Sequence, residues 1–76
     1  MKKLLEFLVK SIVSHPQAVR IEEQKEENYL NLILKADPED LKIIIGKNGR
    51  TIRALRELTR VKAINQGKKV NIEIQE

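Results

Sequence analysis

Apolar residues fall into six short periodic stretches along the chain, and their period changes from one stretch to the next. Leu4, Leu5, Phe7, Leu8, Val9, Ile12 and Val13 recur at helical spacing, with Lys2, Lys3, Glu6, Lys10 and Ser11 on the other side. This predicts an amphipathic helix over residues 3–13, ending before Ser14-His15-Pro16 because the residue preceding a proline is pushed out of the helical region. Val19 and Ile21 alternate with polar neighbours, as do Leu30, Leu32 and Leu34. That is the two-residue period of half-buried strands. The polar run Gln24 to Asn28 between them makes an antiparallel hairpin, and without glycine a loop longer than a two-residue tight turn is expected.

Asp37-Pro38-Glu39-Asp40 reads as a helix start. The Asp37 side chain can cap, Pro38 suits the first helical position, and two acids meet the positive end of the helix dipole. This second helix is short, Pro38 to Ile45, and Gly46 stops it. A third opens at Gly49 or Arg50 with Ile52, Ala54, Leu55, Leu58, Val61 and Ile64 as its apolar stripe, and Gly67 closes it. Val70, Ile72 and Ile74 then alternate with Asn71, Glu73 and Gln75 as a last strand. The order α-β-β-α-α-β, with three one-sided strands and three amphipathic helices, predicts an α+β fold of two layers.

Composition narrows what such a fold can be used for. Seventy-six residues suffice for one small domain, residues 1–76, and 41% hydrophobic with 34% charged residues is a globular balance. With no cysteine, disulfides, thiolate metal sites and a cysteine nucleophile are excluded. No apolar run exceeds three residues, Leu32–Leu34 and Ile43–Ile45 among them, far short of the ~20 residues that cross a bilayer. Nor does the start read as a signal peptide, so the expected location is cytoplasmic, away from membranes. Charge is unevenly spread: residues 42–69 hold nine basic side chains and one acidic, whereas residues 1–41 hold six and eight. One concentrated basic segment points to a polyanion bound on one face.

That segment contains Ile43-Ile44-Ile45-Gly46-Lys47-Asn48-Gly49-Arg50-Thr51-Ile52, a helix end, two glycines framing two polar residues, and a helix start. Gly46 can adopt the backbone that ends a helix, and Gly49 has no Cβ to hold off a sugar-phosphate chain. The amides of residues 49–51, with Lys47 and Arg50, are expected to face an anion. Arg50, Arg53, Arg56 and Arg60 recur every three or four residues and extend this positive side along the helix. No catalytic triad, metal-ligand spacing or complete phosphate-binding loop is present, so neither enzyme activity nor a cofactor is expected. His15 stands alone beside a proline, and Glu22, Glu23, Glu26 and Glu27 surround the hairpin loop as solvated charge. With only Phe7 and Tyr29, the chain lacks the aromatic platforms of RNA-recognition motifs and oligonucleotide-binding barrels.

The ten-residue segment, in this element order, resembles the K-homology (KH) fold of type II. That fold's signature is an isoleucine-glycine pair, two variable polar residues, glycine, two further residues and an apolar one. Ile45-Gly46, Lys47-Asn48, Gly49, Arg50-Thr51 and Ile52 fill those slots. The opening helix, Ala36-Asp37-Pro38-Glu39-Asp40 and Gly67-Lys68-Lys69-Val70 narrow the resemblance to the small bacterial single-KH family called KhpA. The departure is Lys42-Ile43, where that family often has glycine then lysine.

The resemblance implies a three-stranded mixed sheet covered on one face by three helices. It also implies single-stranded RNA clamped by its backbone, about four nucleotides long, on the glycine turn. Ile45, Gly46, Lys47, Asn48, Gly49, Arg50, Arg53 and Lys42 are the implied RNA contacts. Ile44 and Ile52, with Ile45, are candidates for the apolar groove floor, Ile44 leaning to the core. An RNA-chaperone role is implied too, as a homodimer or with a KH protein of the KhpB (Jag or EloR) type, and in some bacteria a link to cell shape and wall synthesis. Val61, Ala63 and Ile64 are the expected dimer contact. The competing readings are a protein-interaction module that has kept the fold and, less favoured by the three strands, a helix-turn-helix binder of duplex DNA.

Overall fold

The computed structural model describes residues 1–75. In chain order it contains α1 (Lys2–Lys10), β1 (Arg20–Lys25), β2 (Tyr29–Lys35), α2 (Pro38–Ile45), α3 (Arg50–Asn65) and β3 (Lys69–Gln75). Short 3₁₀ turns at Pro16–Ala18 and Lys47–Gly49 join α1 to β1 and α2 to α3. The strands form one sheet in the order β1-β2-β3, antiparallel between β1 and β2 and parallel between β2 and β3. This is the α+β arrangement of a type II KH fold.

Alternation decides which sheet face is covered. Leu30, Leu32 and Leu34 on β2 are buried together with Ile21 on β1 and Ile72 on β3, and the helices add Leu5, Val9, Ile44, Ile52 and Leu55 to the same cluster. Leu32 and Leu34, wholly buried on the central strand, each contribute roughly 1.5–3 kcal/mol through that burial. The opposite face carries an amide ladder. Asn31 Nδ2 donates to Gln24 Oε1 at 3.3 Å, and Asn71 Nδ2 donates to Asn31 Oδ1 at 2.9 Å.

Three expectations need correction. The first helix ends at Lys10 rather than Val13: the Ser11 N–H and hydroxyl both donate to the Phe7 carbonyl, and Ile12 N–H reaches back only three residues to Val9. Phe7 leaves the apolar stripe and is 69% exposed. The hairpin is tight despite lacking glycine, because Glu26 N–H donates to Tyr29 O at 2.8 Å and leaves only Glu27 and Asn28 as the link. On α3 the buried residues are Ile52, Leu55, Thr59 and Ala63, while Ala54, Leu58, Val61 and Ile64 are exposed. Counting only apolar residues rotates the stripe, since Thr59 faces the core with its hydroxyl satisfied by Leu55 O at 3.0 Å.

The helices around the turn end as their sequences require. Asp37 caps α2 by accepting from Glu39 N–H at 2.9 Å, with Pro38 at the first position. At the far end of α3, Lys68 N–H donates to Ala63 O and Gly67 N–H to Ile64 O, with Gly67 at φ 68°. This paired closure needs the left-handed residue that glycine supplies.

Candidate nucleic-acid interface

The link from α2 to α3 is compact and strained in a way only particular residues tolerate. Gly46 N–H donates to Lys42 O at 2.9 Å, closing α2, and Gly46 itself adopts φ 75°, ψ 173°. That combination is essentially reserved for glycine. An added Cβ would also lie 2.9 Å from the Thr51 backbone nitrogen. Asn48 follows at φ 57°, left-handed, and Gly49 at φ 75°. Gly49 faces open space, where an added Cβ would have only Ile52 Cγ2 nearby, at 3.9 Å. The two glycines thus do different jobs. Gly46 lets the chain cross itself, and Gly49 lets another chain come close.

The expected ring of free amides is only partly there. Gly49 N–H is spent on Gly46 O at 3.1 Å, and Arg50 N–H donates to Lys47 O. Positive charge at the turn therefore comes from side chains. Lys47 and Asn48 are exposed between the glycines, and Lys42 and Arg50 are exposed beside them. Among the described residues Lys42, Lys47 and Arg50 make no side-chain hydrogen bond or ion pair. Arg53 donates through Nη2 to Asn48 O at 2.9 Å, bracing the left-handed residue while its side chain stays exposed.

Farther along α3 the arginines have partners of their own. Arg56 Nη2 lies 3.3 Å from Ile72 O, spanning the seam between α3 and β3, and Arg60 pairs with Glu57 at 2.8 Å. Recesses open along this seam. One of ≈ 630 Å³ is bordered by Arg56, Ile72 and Ile74, and one of ≈ 240 Å³ by Arg56, Thr59 and Arg60.

Residues 2–74 match the family model described as KhpA/KhpB, KH domain. The chain belongs to this family. Its relatives include "RNA-binding protein KhpA" of Clostridium perfringens, 42% identical over 74 residues covering 97% of this chain and 99% of the relative. The protein of the same name in Clostridium acetobutylicum is 40% identical over the same shares. That of Chlamydia muridarum is 38% identical over 76 residues, 100% of this chain and 97% of the relative.

The turn Gly46-Lys47-Asn48-Gly49 lies within the matched residues, and the apolar residues around it separate into two groups. Ile44 is wholly buried and Ile52 only 6% exposed, so both belong to the core beneath the turn and not to an open groove floor. Ile45 is half-buried and Ile43 exposed. Ala63, expected at a dimer contact, is completely buried, which leaves Val61 and Ile64 as surface residues on α3, together with Leu58.

One residue that sequence reasoning treated only as a helix-dipole acid has a larger place. Asp40 is fully buried, and its carboxylate accepts from the backbone N–H groups of Ser14 at 3.0 Å and His15 at 2.9 Å, with His15 Nδ1 at 3.2 Å. Burial pushes its carboxyl up, but these hydrogen bonds outweigh that and hold it below the usual aspartate range. Asp40 fastens the connection after α1 to the first turn of α2, the helix that leads into the glycine turn. His15, Asp37 and Glu39 also place ligand-type atoms within 4.8 Å of one another. Asp37 is already engaged as the α2 cap, and the positive end of a helix disfavours a cation there. No helix among the described residues is long and apolar enough to cross a membrane.

Proposed function

We propose that the chain is a non-enzymatic binder of single-stranded RNA with weak sequence preference, seating the phosphate backbone on the turn Gly46–Gly49. The observation that carries this is the turn itself. Three of its four residues have positive φ, Gly49 is open to approach, and Lys47 and Arg50 stand exposed beside it without partners among the described residues. Phosphates meet Lys47, Arg50 and Arg53 in this reading, with Lys42 at its margin, and Ile45 with Ile43 offers apolar surface to bases. That relatives sharing nearly the whole length are named RNA-binding proteins supports the same conclusion. In the cell it acts in the cytoplasm as an RNA chaperone or post-transcriptional regulator. The test is a Lys47→Asp, Asn48→Asp double variant titrated by fluorescence anisotropy with a short single-stranded RNA. It is expected to lose binding while circular dichroism and melting stay unchanged; a folded variant that binds like the parent overturns the assignment.

A second reading, that the fold serves as a protein-interaction module, is favoured by one observation. Leu58 and Val61 are 53% and 57% exposed on successive turns of α3. We assign to this face association with a second copy or with a KhpB-type KH protein. A pure interaction module would show no salt-dependent RNA binding.

A further inference from the structure

We propose a second nucleotide subsite at the end of α3 remote from the glycine turn, one that stacks a base of the same RNA strand on Tyr29 and holds the adjoining phosphate with Lys68, Lys69 and Arg60. It rests on the RNA-binding reading above and extends it to a longer stretch of strand. The site is a recess of ≈ 390 Å³ whose walls include Tyr29, Arg60, Ile64, Lys68, Lys69 and Asn71.

Each of those residues is placed by the fold. Tyr29 opens β2 and lies directly across the parallel register from Lys69, whose N–H donates to Asn28 O at 2.9 Å. The ring and the ammonium stem are thereby held side by side. Lys68 is fixed by the paired hydrogen bonds that close α3, and Ile64, 65% exposed, sits in the last turn of that helix. Asn71 adds an amide to the polar side.

The chemistry suits a nucleotide better than a bare anion or an apolar group. Among the described residues the walls carry three cations and no carboxylate, so the recess favours negative charge. Arg60's partner Glu57 lies outside the recess, and that exposed pair holds the guanidinium only weakly. Tyr29 is the chain's single tyrosine and the recess's only aromatic, 39% exposed, flanked by Ile64 and Val70 as apolar surface. An aromatic face beside an apolar floor and cations is how sequence-tolerant single-strand binders seat a base and its phosphate. Arg50 and Ile64 are about 21 Å apart along the helix axis at 1.5 Å per residue. A strand of about four nucleotides, the length a KH turn clamps, is filled by the turn, so only a longer strand gains from the recess. Arg53, Arg56 and Arg60 mark the way between them along α3.

The experiment compares single-stranded RNAs of about four and about twelve nucleotides on the full chain. Tyr29→Ala is expected to weaken the longer strand roughly tenfold and leave the shorter one unchanged. Lys68→Gln with Lys69→Gln is expected to flatten the salt dependence of the longer strand by up to about 0.7 in slope, the value of the one phosphate contact they hold. Because there is one tyrosine, its ring resonances in the unaltered protein give a readout that no folding defect can mimic; they are expected to shift with the longer RNA and stay put with the shorter. Equal affinity of Tyr29→Ala and parent for the longer strand, equal weakening for both lengths, or ring signals unmoved by the longer strand overturns the subsite. The Lys47→Asp, Asn48→Asp variant separates the two readings. If it binds the short RNA normally the turn assignment fails, whereas the tyrosine signals still decide the recess.

Discussion

Gly46 packs so closely under Thr51 that an added Cβ would run into the Thr51 hydroxyl and Cβ and also lie 2.9 Å from the Thr51 backbone nitrogen, so turning the threonine side chain away would not make room. Gly49 has the same φ and no such neighbour. Gly46→Ala is therefore expected to cost about 2–4 kcal/mol, from a glycine-only backbone conformation plus a clash with main chain. Gly49→Ala should cost only the left-handed penalty, about 1 kcal/mol. Urea denaturation of the two variants checks this. Equal midpoints would remove the crowding account of Gly46.

RNA affinity should fall with salt. If about three phosphates are neutralised at the turn, log affinity against log salt for a short strand has a slope near −2, at roughly −0.7 per contact. A flat line contradicts a phosphate-based grip. Glu26→Gln with Glu27→Gln, in the exposed hairpin away from the turn, should leave affinity equal or slightly higher.

Asp40 sets an acid limit on stability. Its folded carboxyl titrates below the ordinary value of 3.8, so its contribution is complete above that value and is lost as pH falls through the lower folded one. Asp40→Asn removes the charge and replaces one of the two acceptor oxygens with an NH2 donor, which then faces a backbone N–H of Ser14 or His15. At neutral pH it is expected to lower the melting temperature by roughly 5–10 °C. The gap between variant and parent should close as the pH is taken well below 3.8. A gap of constant size down to pH about 2 would show that charge on Asp40 is not what holds the Ser14–His15 segment.

Leu58→Lys with Val61→Lys probes the exposed face of α3. Neither residue contributes to the core, so the fold should change by less than about 0.5 kcal/mol. If this face carries self-association, sedimentation velocity at high micromolar concentration will show a dimer for the parent and a monomer for the variant. A parent that is already monomeric there refutes the contact.

The sequence made the element order readable because each strand alternates cleanly and Asp37-Pro38 and the two glycines punctuate the helices. What it concealed were positions where a polar residue goes inside. Thr59 is satisfied within its own helix and Asp40 by backbone N–H groups of Ser14 and His15 far away in the chain, and no hydropathy period marks such residues. The misreading of α3 followed directly, since Leu58, Val61 and Ile64 look like core until Thr59 and Ala63 are seen to occupy it. At the turn, residue types indicated the bend and the charge. Which amides are spent on the bend, and that Ile52 belongs beneath it, depend on backbone angles that residue types do not specify.

The Asn71–Asn31 hydrogen bond joins residues 40 positions apart, and it lies within the parallel pairing of β3 with β2. Antiparallel β1–β2 is local and can zip early, but β3 must wait until α2, the turn and α3 have folded back over the sheet. Closing so wide a loop costs entropy before any contact rewards it, so the chain's folding rate should be set by this one event. Substitutions on β3 such as Ile72→Val are then expected to slow folding more than they accelerate unfolding, the kinetic mark of a strand whose docking limits the rate.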